Sequence, residues 1–226
     1  EMVISYSLIF ILSILFVLFQ VFFTNILMKE KTTKMKEYYI VAAIAKAIGV
    51  PYDQILFVLC VMAGLPLSII NHFLKNPQVR LWYGLITGLF LQYALYGSGI
   101  FHTAFSSLVT YYFIKFFGRK IDAMVILIFT FLYLSGMHVY RLFFHYGEWS
   151  ADDPTGIYML LICKFSFLAY SYQDGAKEDT EIKNSHWRQY KLKEKPTLLE
   201  TFSYVFYFPS AVVGPSFEFK DFQDFI

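Results

Sequence analysis

The stretch Gln54–Leu74, which reads QILFVLCVMAGLPLSIINHFL, contains no Asp, Glu, Lys or Arg. A helix of about 20 apolar residues is long enough to cross the hydrocarbon core of a bilayer. The stretch therefore predicts a membrane-spanning helix. Gly64 and Pro66 interrupt the apolar run, and we expect the helix to be broken there, with neighbouring helices covering the carbonyl that the Pro leaves free.

Apolar stretches of similar length lie on both sides of this segment. Upstream, Met2–Met28 predicts a first spanning helix, and Tyr38–Ile48 predicts an interfacial or re-entrant helix that ends at Gly49. A late apolar segment, Thr197–Val213, is broken at Pro209. The other predicted spans are Leu81–Tyr96 (with Gly84 and Gly88 spaced for close helix packing), Ile100–Phe117, Ile121–Met137 and Gly156–Tyr172.

The composition supports the same class of protein. Apolar residues make up 57% of the chain and charged residues 16%, and the mean hydropathy is +0.50. Soluble domains average about 45–50% apolar and about 25% charged residues. We predict an all-α, polytopic membrane protein with a single transmembrane domain over residues 1–226, six or seven spanning helices and some broken or re-entrant segments. Since the chain runs from Glu1 to Ile226, with no initiating Met, we expect it to be a fragment.

The longest polar segment, residues 173–196, is expected to face the cytosol. It carries six basic residues, and the side of the membrane that holds it carries eleven Lys and Arg, against Arg141 alone on the other side after the first basic loop. This asymmetry is the positive-inside pattern. The first basic loop does not fit it, so the topology of residues 1–53 stays open. Acidic residues interleave the basic ones in 173–196, and we expect no nucleic-acid binding.

His138, Arg141 and His145 fall on one helical face if the fifth predicted span continues past Met137. A polar stripe is costly in a membrane, so we expect it to face the protein interior or the headgroups. It is either a lining for anionic substrate groups or an interfacial helix end with snorkelling side chains.

Lys164 is a charge within a predicted span. It either faces the interior, paired with a carboxylate such as Asp174 or with a phosphate, or snorkels to the interface. The sequence has no HExxH or CxxC pattern and no serine nucleophile elbow, so we expect no metal or bound cofactor.

The segment around Pro209 and Gly214-Pro215 cannot continue a helix. Non-helical backbone inside a membrane persists only where it is buried in protein or lines a cavity. The segment predicts either a bend at a channel or a plain transition from helix to interface. Gly214, which lacks a Cβ, is expected to hold the bend, whereas Ser210 shows no such constraint.

Six stretches in the second half of the chain form a recognisable pattern. They are Gly136–Arg141, Tyr146–Asp152, Lys164–Gly175 with its closing Asp174-Gly175, Pro196–Glu200, Phe206–Phe208, and Val213–Phe219 with the Gly-Pro-x-Phe pattern of Gly214, Pro215 and Phe217. In this order and spacing they resemble the lysophospholipid group of the membrane-bound O-acyltransferases. The resemblance covers roughly residues 136–226 and, more loosely, 50–117.

The resemblance implies transfer of a fatty acyl group from acyl-CoA, as co-substrate, to a lysophospholipid hydroxyl, by an integral protein of the endoplasmic reticulum. It implies a catalytic Asn and His in the C-terminal half of the family's fold. No residue of this chain is therefore assigned a catalytic role, and the chain alone is expected to be inactive. The expected partners are membrane lipids and acyl-CoA, and the oligomeric state stays open. The candidate substrate-binding or channel-lining residues are His138, Arg141, Lys164, Asp174, Gly175, Gly214, Pro215 and Phe217.

Three alternatives remain. One is a branch of the same family that acylates a protein or a sterol, although Asp174-Gly175 together with Gly214-Pro215-x-Phe217 favours the phospholipid branch. Another is a transporter or channel, which the expected breaks at 64–66 and 209–215 and the charge of Lys164 would suit. The third is a catalytically inactive membrane scaffold.

Overall fold

The computed structural model describes residues 38–120, 123–147 and 153–226. In these ranges the regular elements are helices and no strand forms. The predicted span Met2–Met28 lies outside the described residues. The helices are α1 (Tyr39–Ile48), α2 (Tyr52–Phe73), α3 (Pro77–Tyr96), α4 (Ile100–Phe117), α5 (Ala123–Phe144), α6 (Pro154–Asp174), α7 (Ser185–Tyr190), α8 (Leu198–Val205) and α9 (Phe219–Phe225), with 3₁₀ turns at Gly97–Gly99, Gly118–Lys120 and Phe208–Ser210.

Four segments of the described chain are long and apolar enough to cross a membrane, judged by length and composition. They are α2, the continuous stretch Pro77–Phe117 that contains α3 and α4, α5 and α6. The predicted all-α, polytopic membrane fold is confirmed. The bounds of α4 agree with the prediction because a glycine precedes and follows it. Gly118, which ends α4, and Gly97, which ends α3, adopt positive φ angles of 60° and 54°, which side chains with a Cβ rarely tolerate.

The helix break expected at Gly64 and Pro66, within Gln54–Leu74, is wrong. α2 runs without interruption from Tyr52 to Phe73 through Gly64 and Pro66. A proline removes one backbone hydrogen bond but leaves those of the flanking turns. The Ser68 hydroxyl also donates to the Gly64 carbonyl at 2.8 Å. The turn around Pro66 therefore stays helical.

Thr197–Val213 does not form a spanning helix, and its helix ends at Val205, four residues before the break predicted at Pro209. α8 covers only Leu198–Val205 and begins with a capping box, in which Thr197 and Glu200 each bond to the backbone N–H of the other. The chain then turns at Phe208–Ser210. Much of the segment is fully buried, including Tyr204, Val205, Phe206 and Ala211, so its non-helical backbone is shielded by protein, as a membrane interior demands.

The packing of the helices encloses this segment. α5 packs along α6, α3 contacts α2 and α8, and α4 contacts α6 and α8. The outer face of α2 stays exposed and is apolar, as a lipid-facing surface should be. Its exposed large side chains include Leu59, Met62, Leu65, Ile69 and Phe73.

The predicted close packing at Gly84 and Gly88 is confirmed. A Cβ at Gly84 would lie 2.8 Å from the ring of Tyr207, and a Cβ at Gly88 would overlap the carbonyl oxygen of Phe206. The absence of side chains at these two positions lets α3 lie directly against the buried segment.

We expect Gly88→Ala to destabilise the protein by about 1–3 kcal/mol, since the methyl group would force α3 away from Phe206. Gly64→Ala is the matched control, because Gly64 is also helical but has no heavy atom within 4 Å of its Cβ position. The control should leave stability unchanged or raise it by up to about 1 kcal/mol. Thermal unfolding in detergent, followed by tryptophan fluorescence, measures both. Equal effects of the two substitutions would contradict this packing.

Candidate functional site

The side chain of Lys164 is buried in the middle of α6, with 1% of its surface exposed. Its Nζ donates hydrogen bonds to the carbonyl oxygens of Tyr204 (2.9 Å) and Val205 (3.3 Å). It also donates to Ser210 Oγ at 2.5 Å. The last carbonyls of a helix have no partner within the helix and carry partial negative charge. Lys164 therefore caps the C-terminal end of α8.

Two aromatic rings cover the Lys164 amine. Nζ lies 5.1 Å from the ring centroid of Tyr204 and 4.7 Å from that of Phe217, within the range of cation–π attraction. The Tyr204 hydroxyl donates to the carbonyl oxygen of Phe217 at 2.6 Å. Lys164 and Phe217, two candidates from separate motifs, are thus brought together by the fold.

Of the two alternatives for Lys164, the structure shows the interior position, but the carboxylate suggested as its partner is wrong. Asp174 lies ten residues further along α6, about 15 Å away at 1.5 Å per residue, and it pairs with Lys177 at 2.6 Å. Snorkelling is also wrong, because the amine is buried. The expectation that Ser210 is unconstrained fails too, since its hydroxyl accepts from Lys164 and donates to the Tyr207 carbonyl at 3.2 Å.

Polar side chains of α2 and α3 hold the bend from its other side. Non-helical backbone that is buried needs such partners. The hydrogen bonds run from Asn71 Nδ2 to the Tyr207 hydroxyl (2.9 Å), from Gln92 Nε2 to the Ala211 carbonyl (2.9 Å), and from the Tyr96 hydroxyl to the Val212 carbonyl (3.1 Å).

The two amide groups each keep one unused acceptor. Asn71 Oδ1 and Gln92 Oε1 are buried and accept no hydrogen bond within the described part of the chain. A buried acceptor without a donor costs about 1–3 kcal/mol. A donor that reached either oxygen, such as a buried water molecule, would remove this cost.

Gly214 lies where the bend folds back on itself. A Cβ at this position would overlap the carbonyl oxygen of Pro209 and crowd Cα of Ser210. The structure thus gives the expected constraint on Gly214 a specific form, a close approach of two backbone segments. The next residue, Pro215, is exposed at the edge of the bend.

Asp174 and Gly175 form the C-terminal end of α6 and do not approach Lys164. A Cβ at Gly175 would overlap the carbonyl oxygen of Leu192, so this glycine allows the 191–193 backbone to pack on the helix end. The Arg119 guanidinium joins the two segments. It donates to the carbonyl oxygens of Tyr172 (3.2 Å), Leu192 (3.0 Å) and Lys193 (2.6 Å).

The stripe of His138, Arg141 and His145 lies at the C-terminal end of α5, which continues past Met137 as the stripe requires. The three side chains are half-buried and line an open groove of about 530 Å³. Arg141 forms an ion pair with Asp153, the residue that precedes α6. Asp153 is eleven residues from Lys164, about 16 Å along a helix. The structure therefore places the stripe and the Lys164 cluster in separate sites.

Sequence reasoning missed a second buried polar cluster, between α4, α5 and α6. His102 Nδ1 lies 2.7 Å from the Tyr133 hydroxyl, and the ring of Tyr133 stacks on that of Tyr158 at 5.1 Å. The Tyr158 hydroxyl is hydrogen-bonded to Ser106. All four side chains are at most 1% exposed. The i, i+4 spacing of His102 and Ser106 in an apolar helix was the available signal, since polar residues in spans tend to face the protein interior.

Among the residues that the structure describes, no group of three or more His, Cys, Asp and Glu side chains could hold a metal ion. The Lys164 amine is already bonded to three protein oxygens. Its role in this arrangement is to position the bend. Near the bend, within the described part of the chain, the amide oxygens of Asn71 and Gln92 keep unused hydrogen-bonding capacity.

We expect Ser210→Ala to destabilise the protein by about 1–3 kcal/mol, because it removes an acceptor from a buried ammonium group. Ser68→Ala is the control. Ser68 is exposed, its hydroxyl bonds only within its own helix, and surface changes of this kind stay within about 0.5 kcal/mol. Unfolding of the two variants in mixed detergent micelles measures the difference. Indistinguishable unfolding curves would show that Ser210 does not support Lys164.

Comparison with known proteins points to enzymes of phospholipid acylation. The chain is 28% identical over 188 residues to lysophospholipid acyltransferase 6 of Drosophila melanogaster. This alignment covers 81% of this chain and 26% of that protein. The chain is 28% identical over 182 residues to lysophospholipid acyltransferase of Schizosaccharomyces pombe (79% and 35%). It is 29% identical over 195 residues to membrane-bound glycerophospholipid O-acyltransferase 1 of Mus musculus (81% and 38%). No family model matches the sequence.

The chain spans about a third of the length of these relatives. The matches nevertheless cover about four fifths of the chain itself, and they come from an insect, a yeast and a mammal. The all-helical fold with its apolar, membrane-length segments agrees with them. On these grounds the chain is similar, over about four fifths of its length, to proteins named as lysophospholipid acyltransferases and membrane-bound glycerophospholipid O-acyltransferases.

Proposed function

We propose that this chain is part of an enzyme that transfers a fatty acyl group from acyl-CoA to the free hydroxyl of a lysophospholipid. The observation that carries the proposal is the similarity, over about four fifths of the chain, to proteins named as lysophospholipid and glycerophospholipid acyltransferases. The proposed location is the membrane of the endoplasmic reticulum. Acylation of a protein or a sterol is less favoured, since the names of these relatives refer to phospholipids.

Acyl transfer to a hydroxyl needs a general base that takes the hydroxyl proton and donors that stabilise the tetrahedral oxyanion. We assign neither role to a residue of this chain. We propose instead that the chain contributes binding surface. The bend at 206–217 forms a wall of the acceptor site, and the oxygens of Asn71 and Gln92 accept a hydrogen bond from the substrate or its bound water.

The candidate residues then divide by role. Lys164, Gly214, Pro215 and Phe217 shape the bend, and Asp174 and Gly175 shape the end of α6. His138 and Arg141 are the proposed contacts for anionic groups of a substrate, because their groove is open and carries a guanidinium. Shaping residues should affect stability and activity together, whereas groove residues should affect activity alone.

A transporter or channel is the weaker candidate. It drew support from two helix breaks, at 64–66 and at 209–215, and the first of these is absent because α2 is continuous. The second is present but is packed from both sides by Lys164 and by the polar side chains of α2 and α3. The similarity to acyltransferases further favours the enzyme.

We expect the 226-residue chain alone to transfer no acyl groups, because the proposed base and oxyanion donors are not among its residues. The complete product of its gene should acylate lysophospholipids. The measurement is incorporation of labelled acyl groups from acyl-CoA, in membranes of cells that lack their own acyltransferases. Transfer by the isolated chain would place the active site within these residues. A complete product that acylates no lysophospholipid would contradict the proposed function.

We also propose that residues 173–196 face the cytosol. A glycosylation acceptor sequence inserted after Lys183 should stay unmodified in microsomes, because the acceptor would lie on the basic side of the membrane. The same sequence inserted after Gly147, at the other end of α6, is the matched control and should be glycosylated. Modification at Lys183 alone would reverse the proposed topology.

A further inference from the structure

A polar groove of about 680 Å³ lies between the 173–196 segment and α9. We call it the basic groove, because its charged lining carries four cations and two carboxylates. These residues are Arg188, Lys191, Lys193, Lys220, Asp179 and Glu194. We propose that the basic groove binds the phosphate headgroup of an anionic phospholipid from the surrounding leaflet, as a resident lipid distinct from the acyl acceptor.

The position of the groove relative to the membrane supports a lipid ligand. The Leu192 N–H donates to the carbonyl oxygen of Ser171 at 2.8 Å, and Arg119 bonds the carbonyl of Lys193. Both contacts fix the 191–193 backbone to the last turn of α6, a helix of membrane-spanning length. Lipid headgroups lie where a spanning helix ends, so the groove lies at headgroup depth.

The exposed side chain of Trp187 also indicates a position at the membrane–water interface. Trp187 is 58% exposed and directly precedes Arg188, which lines the groove. Tryptophan is enriched where a protein meets the membrane–water interface, because its indole ring is apolar and carries one polar N–H. Phe225 is 52% exposed. It belongs to α9, which lines the side of the groove opposite the 173–196 segment. Both aromatic residues belong to helices that contribute lining residues to the groove, and their exposed rings suit contact with lipid beside it.

The charges of the groove leave capacity for a phosphate. Lys191 pairs with Asp179, and Lys220 pairs with Asp224 at 2.5 Å. The Lys193 amine makes no ion pair or side-chain hydrogen bond with the described residues. The hydrogen bond from Lys191 lowers the pKa of Asp179, and the charges of Lys191, Arg188 and Lys193 lower it further. With Asp224 counted beside the two carboxylates of the lining, the four cations leave the groove with a net charge of +1, which attracts an anionic headgroup.

A phosphate carried by a soluble molecule has the same chemistry as a headgroup phosphate. The depth of the groove and the exposed ring of Trp187 favour the lipid. The binding we propose does not require acyl transfer, so it can be tested whether or not the enzyme reaction is as proposed.

The test is native mass spectrometry of the purified, delipidated chain, titrated with phosphatidylserine or phosphatidylcholine in neutral detergent. Lys193→Gln with Lys220→Gln should weaken phosphatidylserine binding about tenfold, since each surface lysine contributes to anionic-lipid attraction. Lys193→Gln alone should weaken it about threefold in the same direction. Phosphatidylcholine binding should not change.

Lys75→Gln with Lys183→Gln is the matched control. It removes the same charge from two exposed lysines that do not line the groove, and it should change phosphatidylserine binding less than twofold. Lys193→Arg with Lys220→Arg should bind like the original chain, which separates charge from folding. Equal weakening by the two Gln pairs would overturn the proposal in favour of diffuse attraction. Coenzyme A binding that depends on Lys193 and Lys220, without phosphatidylserine binding, would overturn it in favour of a soluble ligand.

Discussion

The bonds from the Lys164 amine to the end of α8 are the constraint on which the inner part of this protein depends. Burying an ammonium group is expensive unless its protons are bonded. Here two helix-terminal carbonyls, one hydroxyl and two aromatic rings surround it. Because the acceptors belong to a later part of the chain, satisfying the charge also fixes where α8 ends and where the bend begins. Lys164 thus joins two stretches of the family resemblance, Lys164–Gly175 and Val213–Phe219, through its contact with Phe217.

Other features follow from holding a non-helical segment inside a helical membrane protein. Its backbone must be bonded by side chains, which Gln92 and Tyr96 provide, and a helix must come close enough to do so, which Gly88 permits. The result is a buried wall with two amide oxygens that accept no hydrogen bond from the described residues. Such a wall suits a substrate that brings both a hydrocarbon chain and a hydroxyl group, and this is the physical link between the fold and the proposed acylation of a lysophospholipid.

The sequence predicted best what depends on local signals. α4 was predicted with its observed bounds because glycines flank it. Pro209 correctly predicted that Thr197–Val213 is not one continuous helix, but the helix ends four residues earlier, at Val205. The break predicted at Pro66 was wrong, because a proline removes only one backbone hydrogen bond. The flanking turns and the Ser68 hydroxyl keep α2 helical. The interior position of Lys164 was predictable from the cost of a charge in a membrane. The hydrogen-bond partners of Lys164 could not be predicted. They are backbone carbonyls some forty residues away, and every residue has a carbonyl, so the pattern of side chains does not identify them. The same limit applies to Ser210, whose role appears only in three dimensions.

Hydrogen–deuterium exchange over residues 204–212 tests most directly whether Lys164 holds the bend. The peptide should be compared in the original chain and in Lys164→Met, which keeps the length of the side chain but removes its charge. We predict slow exchange in the original chain and exchange at least about tenfold faster in the variant, because an opening that costs 1.4 kcal/mol less is ten times more populated. Peptides of α5 should not change. Rapid exchange of 204–212 in the original chain, or equal protection in the variant, would contradict the account.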